Sequence, residues 1–339
     1  MNNSQLLDRL LDGHDLEEQQ AYDLMQQFAA GDLDPAFSGA LLAGLRAKGE
    51  TADEIRGFAR AMRELALHPE IPEGAPTVDT VGTGGDGSGS LNLSTGTGLL
   101  AAASGSRVVK HGNRSVSSKS GSADMLECLG MPLPLHEKEA VDCLQATNFT
   151  FLFAPAYHPA MKAVVPVRAA LGVRTVFNIL GPLTNPASTP YQLIGAFSRD
   201  MAKLMAEALA GLPIERAFVV HGEPGWDEAT PAGDFWLYDV TPGSVVETQR
   251  SPEDYGLDRC APEDLAGGDA EHNARELERV LSGADKGAHR DALLMGTSLV
   301  LEVQGVASDA REGVALAAAA IDDGRAANFL ATLRAHFKN

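Results

Sequence analysis

The chain has 339 residues, 44% of them hydrophobic, which is enough apolar material for one large domain and one small domain. Its formal net charge of -19 argues against nucleic acid as a partner, because binding a phosphate backbone requires an extended positive face. It contains no apolar run of about 18 residues, so we expect no membrane-spanning helix.

The three cysteines, Cys128, Cys143 and Cys260, are odd in number and lack C-x-x-C spacing. This pattern predicts reduced thiols and argues against disulfides and a zinc site. The first residues form an acidic amphipathic pattern and not the basic and apolar regions of a signal peptide. We therefore expect a cytoplasmic protein.

Residues 1–70 are predicted to be helical. Leucines recur at helical spacing, and the capping-box pattern of Thr51 and Glu54 predicts a helix that continues to Leu67. Residues 71–76 contain two prolines and a glycine, which is typical of a linker. We expect a large domain over 77–339.

The stretch 79–130 has the pattern of a phosphate site. A predicted strand, 77–81, is followed by five glycines within 82–89, so that several backbone N–H groups can approach one anion. A Ser/Thr-led helix begins at 92–95, where unpaired N–H groups favour negative charge. A second strand, 107–109, then leads into Lys110.

A local excess of positive charge follows in this acidic chain. Between Arg107 and Lys119 there are four Lys or Arg residues, one His and no carboxylate. The turn formally fits G-x-G-x-x-G, but the immediate helix and the later acidic residue of a dinucleotide site are missing, as is the Gly-Lys-Ser/Thr of a Walker A loop. A flexible linker would explain the glycine-rich turn, the Ser/Thr-led helix start or the basic segment separately, but not all three in succession.

Strands and helices alternate in the rest of the chain, which predicts a parallel sheet. We expect strands at 149–153, 191–197 and 216–220, a helix at 160–171 and a connection at 177–186. Asp227 and Glu228 lie in a loop after a strand, and such carboxylate oxygens are suitable ligands for Mg²⁺. Adjacent acidic residues are also common on surfaces without a metal.

Four segments together resemble the anthranilate phosphoribosyltransferase family: GTGGDG, NLST, KHGNRSVSS and SGSADMLE. The resemblance covers nearly the whole chain. It implies a large α/β domain with a mostly parallel central sheet flanked by helices, and a small all-α N-terminal domain that also receives 158–185. It further implies a homodimer formed through the helical domain.

The resemblance also implies the reaction and its residues. The phosphoribosyl group of 5-phosphoribosyl 1-diphosphate (PRPP) passes to the amine of anthranilate in tryptophan biosynthesis, with Mg²⁺, expected as two ions. The implied PRPP-binding residues are Gly82, Gly85, Asp86, Ser90, Asn92, Leu93, Ser94, Thr95, Lys110, His111, Gly112, Asn113, Arg114, Ser115, Val116, Ser117, Ser118 and Ser122. The implied anthranilate-binding residues are Gly82, Asn113 and Arg168, and the implied metal ligands are Ser94, Asp227 and Glu228.

Arg168 suits this acceptor, because a guanidinium can bind a carboxylate through two hydrogen bonds. Tyr157 and His158 are candidates for bordering the aromatic ring or for a buried structural pair. We assign no acid, base or nucleophile. Trp226 stands where the family usually has Leu, and Gly296 where it commonly has Asn.

Three alternatives remain open from the sequence. The acceptor could be a substituted anthranilate or another aminobenzoate, since Trp226 could reshape the acceptor pocket. A pyrimidine nucleoside phosphorylase shares the architecture, although the GTGGDG and KHGNR segments and the Asp227-Glu228 pair disfavour it. A non-catalytic relative that binds nucleic acid is disfavoured by the acidic charge.

Overall fold

One seven-stranded sheet forms the centre of the fold. The computed structural model describes residues 3–115 and 119–338. The strands are β1 (Thr77–Gly82), β2 (Arg107–Gly112), β3 (Phe149–Phe153), β4 (Tyr191–Gly195), β5 (Arg216–Gly222), β6 (Phe235–Thr241) and β7 (Ser244–Arg250). Their order is β3-β2-β1-β4-β5-β6-β7; the first five are parallel and the last two antiparallel. The predicted mostly parallel sheet is confirmed.

Helices surround this sheet and precede it. The N-terminal helices are α1 (Asn3–Leu11), α2 (Glu18–Ala30), α3 (Pro35–Lys48) and α4 (Ala52–Glu64). The later helices are α5 (Leu93–Ala103), α6 (Ser122–Cys128), α7 (Glu137–Thr147), α8 (Ala154–Tyr157), α9 (Val165–Leu171), α10 (Phe177–Leu180), α11 (Arg199–Leu209), α12 (Ala270–Leu281), α13 (Ala288–Val303), α14 (Ala310–Asp322) and α15 (Arg325–His336). No helix within the described ranges is long and apolar enough to cross a membrane.

Two hydrophobic clusters lie on opposite faces of the sheet. Consecutive residues of a strand point to opposite faces, so Leu193 belongs to one cluster and Ile194 to the other. The first cluster is covered by the helices of the large domain. The second joins the sheet to α2, α3 and α4 and to residues 164–183. The α9 helix packs against α3, so a late part of the chain lies on the N-terminal helices.

Several predicted elements have different limits in the structure. The capping box of Thr51 and Glu54 is present, but α4 ends at Glu64 and not at Leu67. β2 continues to Gly112, because its last residues pair with β3. The helix predicted at 160–171 is two elements, a 3-10 helix at Pro159–Ala163 and α9. Pro166 cannot donate a backbone hydrogen bond, which is compatible with the first turn of α9 but not with a helix interior.

Candidate active site at the carboxyl edge of the sheet

The order of the strands creates a crevice beside β1. β2 and β3 extend from one side of β1, whereas β4 and β5 extend from the other. Ligands of open α/β sheets bind where the strand order reverses, outside the carboxyl ends of the strands. The glycine-rich turn follows β1 at this position, and Lys110 lies on the neighbouring β2. The fold therefore brings the candidate phosphate-binding segments to one edge.

Three glycines allow the acidic loop after β5 to lie on this edge. Gly82, Gly195 and Gly222 are the last residues of β1, β4 and β5. A Cβ atom on Gly82 would stand 2.5 Å from the carboxylate of Asp227, and one on Gly195 would overlap the Asp227 carbonyl oxygen. One on Gly222 would overlap the carbonyl oxygen of Glu228. The sequence analysis did not single out Gly195 and Gly222. Their position at or near the end of a predicted strand was the one feature of the sequence that could have indicated their role.

The candidate metal ligands come together in this loop. The Asp227 carboxylate accepts a hydrogen bond from the Gly84 N–H at 2.5 Å. The Glu228 carboxylate accepts one from the Ser94 N–H, at the start of α5, at 2.9 Å. Asp86 accepts the Asp227 N–H at 3.3 Å, which adds a third carboxylate. Ser94, Asp227 and Glu228 are thus near neighbours, as residues that bind one metal ion must be.

The charges of these carboxylates fit a divalent cation. Burial raises the pKa of Asp227, and repulsion from Asp86 raises it further. Burial also raises the pKa of Glu228, with repulsion from Asp227 as a second cause. Buried carboxylates that repel one another are stabilised by a hard cation with oxygen ligands, and Mg²⁺ is such a cation.

Lys110 supplies a buried positive charge opposite these carboxylates. Its residue is 2% exposed, and its ammonium group donates to the Thr80 carbonyl and lies 3.3 Å from the Ser94 hydroxyl. Burial lowers the pKa of Lys110, whereas the charges of Asp79, Glu228 and Asp227 oppose that shift. The site therefore places one buried ammonium group among several carboxylates.

The glycine-rich turn is bonded to residues on both sides. Gly84 and Gly85 have positive φ values of 67° and 72°, which glycine adopts without strain. Arg174, in the connection between α9 and α10, donates to the Gly85 carbonyl, and its guanidinium carbon lies 4.3 Å from the Phe197 ring centroid. Sequence reasoning did not single out Arg174, because no local pattern links it to the turn.

The positive charges counted between Arg107 and Lys119 do not all point to the same place. Arg107 begins β2 and donates to the carbonyls of Ala75 and Pro72, at the opposite end of the strand from the site. Arg114 forms ion pairs with Asp124 and Glu127 of α6 at 2.8 and 2.6 Å. The charge of Arg114 is thus balanced by carboxylates of the helix that follows it.

The other candidate donor residues lie around the starts of α5 and α6. The Asn92 side-chain oxygen accepts from Ser120 at 2.9 Å and from Asn273 at 2.8 Å, and Ser122 donates to the Asn113 carbonyl at 3.0 Å. Leu93 and Thr95 are buried in the first turn of α5, and Ser90 forms an isolated β-bridge with Ala266. Gly112 is the last residue of β2, and the Ser115 N–H donates to the Asp124 carboxylate. Val116, Ser117 and Ser118 lie outside the described residues.

Arg168 lies apart from this polar cluster. Within the described ranges its guanidinium has no hydrogen bond or ion pair, and its carbon Cζ lies 5.4 Å from the centre of the Phe177 ring. Burial lowers the pKa of Arg168. An arginine that is half-buried and unpaired in this way can accept an anionic ligand.

The two candidates for bordering the acceptor ring differ in their surroundings. Tyr157 is 2% exposed, and its hydroxyl donates to the Leu135 carbonyl, which makes it part of the core. His158 is also buried, and its ring lies edge-on to that of His111, with centroids 5.1 Å apart. Burial lowers the pKa of His158 to about 4 and of His111 to about 3, so both rings are neutral at pH 7.

The structure gives a physical setting for the two unusual residues. Trp226 is buried in the first hydrophobic cluster, whereas the residues around Arg168 belong to the second. Gly296 lies on α13 where a Cβ atom would overlap the Thr97 hydroxyl of α5. Gly296 therefore permits close packing of two helices behind the site, and Trp226 contributes to the core.

Both parts of the chain match one class of enzyme. Residues 4–66 match the helical bundle domain of a glycosyl transferase family, and residues 74–327 match the a/b domain of such a family. The anthranilate phosphoribosyltransferase of Rubrobacter xylanophilus is 46% identical over 314 residues, which are 93% of this chain and 91% of that relative. The chain therefore belongs to the anthranilate phosphoribosyltransferase family.

Solved structures agree with this membership. Anthranilate phosphoribosyltransferase from Thermus thermophilus superposes with a TM-score of 0.92 at 42% identity, covering 98% of this chain and 99% of that one. The enzyme from Saccharomyces cerevisiae, in complex with PRPP and Mg, superposes with a TM-score of 0.89 at 27% identity, covering 99% and 98%.

Proposed function

We propose that this chain transfers the phosphoribosyl group of PRPP to the amine of anthranilate, giving N-(5-phosphoribosyl)anthranilate and diphosphate, in tryptophan biosynthesis. One observation carries the proposal. A buried lysine faces a group of carboxylates beside a glycine-rich turn, at the point where the strand order reverses. Family membership supplies the identity of the two substrates.

The donor binds through its charged groups. Lys110 and the backbone amides of the turn hold the phosphate oxygens, and the hydroxyl groups around 113–122 bind the rest of the donor. Ser94, Asp227 and Glu228 would hold Mg²⁺, as two ions, which would supply positive charge to the diphosphate. The chain thus stabilises the departing charge by groups that are already in place.

The acceptor binds through Arg168, whose guanidinium donates hydrogen bonds to the anthranilate carboxylate. Asn113 and Gly82 lie where the two substrates meet. The aromatic amine is neutral at pH 7, and it attacks the ribose C1 as diphosphate leaves, so the reaction requires no nucleophilic side chain. Closure of the helical part over the sheet would exclude water from this step.

Further properties are part of the same proposal. The helical domain comprises 1–70 with 158–185, residues 71–76 are the linker, and 77–339 form the PRPP-binding domain. The chain forms a homodimer through its helical domain and acts in the cytoplasm. Packing of α9 on α3 supports the assignment of 158–185, and size-exclusion chromatography with light scattering tests the dimer.

The test follows the loss of anthranilate fluorescence after addition of PRPP and Mg²⁺ to the purified protein. We expect a decay that requires Mg²⁺ and that is abolished in the double variant D227A/E228A. If the folded protein still binds PRPP but the fluorescence does not decay, the acceptor would be another aminobenzoate and not anthranilate. Failure to bind PRPP would overturn the proposal.

A further inference from the structure

The guanidinium of Arg168 lies over the ring of Phe177. Its Cζ lies 5.4 Å from the centroid of the Phe177 ring, within the distance of about 6 Å at which a cation is attracted to a ring face. No hydrogen bond or ion pair competes for this guanidinium among residues 3–115 and 119–338. Contact with the ring restricts where this long, flexible side chain points.

Phe177 itself is held firmly. Its residue is 6% exposed, and the Phe28 ring of α2 packs against it at 74° with centroids 6.1 Å apart. Further along the same segment, Arg63 of α4 donates to the Leu183 carbonyl at 2.7 Å. The ring position is thus fixed by the N-terminal helices, whereas Arg168 is carried by α9.

The same segment also contacts the donor side. The Gly181 carbonyl lies 3.2 Å from the Nδ1 atom of His111, and His111 follows Lys110 on β2. Residues 177–183 therefore connect the environment of Arg168 with the strand that carries the buried lysine. A ring in this segment can orient Arg168 relative to the donor.

We propose that Phe177 is a positioning residue, which orients the Arg168 guanidinium so that it meets the carboxylate of the acceptor. The inference rests on the role proposed above for Arg168. A guanidinium already held over a ring loses less conformational freedom when a carboxylate binds. Phe177 thereby increases affinity for the acceptor without contacting the donor.

A purely structural role for Phe177 would have different consequences. Loss of the ring would then lower stability and change all kinetic parameters together, as for any buried phenylalanine of this cluster. Phe58 is a suitable control, because it is fully buried in the same cluster and is not in ring contact with Arg168. The substitutions F177L and F58L remove the same atoms from the same environment.

The test measures KM for anthranilate and for PRPP separately in F177L and F58L. Loss of the ring face should raise KM for anthranilate about three- to tenfold in F177L, as expected for a half-buried cation–π contact. KM for PRPP and kcat should change less than about twofold. F177Y, which keeps the ring face, should restore KM for anthranilate. F177M replaces F177L in the comparison if the leucine variant unfolds.

A double-mutant cycle with R168A determines whether the effect passes through the arginine. In the R168A background, F177L should produce no further rise in KM for anthranilate. An equal rise in both backgrounds, or equal effects of F177L and F58L, would overturn the inference while leaving the proposed reaction intact. An unchanged KM in R168A alone would instead refute the acceptor role of Arg168, and the inference with it.

Discussion

The two sides of the proposed site are built differently. The donor side comprises residues 82–95, Lys110 and 226–229. Its charged residues Lys110 and Asp227 are buried, and hydrogen bonds join the glycine-rich turn, the start of α5 and β2 to the acidic loop and to β1. The acceptor side, which comprises residues 158–183, lies on the N-terminal helices, and its main candidate, Arg168, contacts the Phe177 ring and has no hydrogen bond or ion pair within 3–115 and 119–338. Strand ends fix the donor side, whereas packing between separate helices fixes the acceptor side.

This difference bears on how the site can vary. A Cβ atom at any of the three strand-end glycines would collide with the acidic loop, so the donor side tolerates little change. On the acceptor side a Cβ atom on Gly181 would meet nothing within 4 Å. We infer that the donor side preserves its chemistry and that the acceptor side adjusts the fit of the amine.

The largest expected effect is on the donor side. K110M removes the buried ammonium, and we expect kcat/KM for PRPP to fall by roughly 10²- to 10³-fold, the size of effect seen when one preorganised charge-stabilising group is lost. Steady-state kinetics with fluorescence detection measure it. The exposed Lys286, which lies outside both sides of the site, provides the control K286M, whose activity should remain near that of the parent. Comparable losses in both variants would contradict the role of Lys110.

The second prediction compares glycines on the two sides. G195A places a Cβ atom against the Asp227 carbonyl, and we expect the free energy of unfolding to fall by about 1–3 kcal/mol. G181A should change it by less than about 0.5 kcal/mol. Urea unfolding monitored by circular dichroism measures both. A larger loss in G181A would reverse the comparison.

The third prediction concerns pH on the acceptor side. Burial lowers the pKa of His158 to about 4, whereas the unfolded chain retains the ordinary value of 6.5, so the unfolded state binds the additional proton between these values. Stability should therefore fall as the pH falls from 6.5 towards 4, with a contribution of at most about 1.4 kcal/mol per pH unit.

Besides burial, the electrostatic effect of nearby His68 lowers the pKa of His158. H158Q should flatten the dependence of unfolding free energy on pH in this window, as measured by urea unfolding at several pH values. The exposed His14 gives the control H14Q, which should keep the slope of the parent. If the curves for H158Q and the parent run parallel, burial of neutral His158 does not cause the pH dependence.

The smallest expected effect is at the contact between the two sides. Arg174 joins the acceptor-side segment to the Gly85 carbonyl, and R174A should weaken PRPP binding by about 0.5–1.5 kcal/mol, the usual net value of one hydrogen bond. Isothermal titration with PRPP measures it. Arg46 donates a hydrogen bond to the backbone carbonyl of residue 174. R174A keeps this carbonyl, so the segment should stay in place. Unchanged affinity would mean that the two sides act independently.

Local patterns in the sequence determined much of this protein. Alternating strands and helices predicted the parallel sheet, and the capping box of Thr51 predicted the start of α4, because both depend on neighbouring residues. The glycine-rich turn, Lys110 and the Asp227-Glu228 pair were recognisable as charged or flexible residues beside predicted strands. Their assignment to particular substrates came from the family resemblance.

The tertiary structure decided what depends on residues far apart in the chain. Pairing with β3 extended β2 past Lys110, and carboxylates of α6 balanced Arg114, which no local pattern could indicate. The overlap of Gly195 with the loop of Asp227 and the contact of Arg168 with Phe177 likewise appear only after folding. Sequence periodicity reports the neighbours of a residue along the chain, whereas burial, charge balance and orientation depend on neighbours in space.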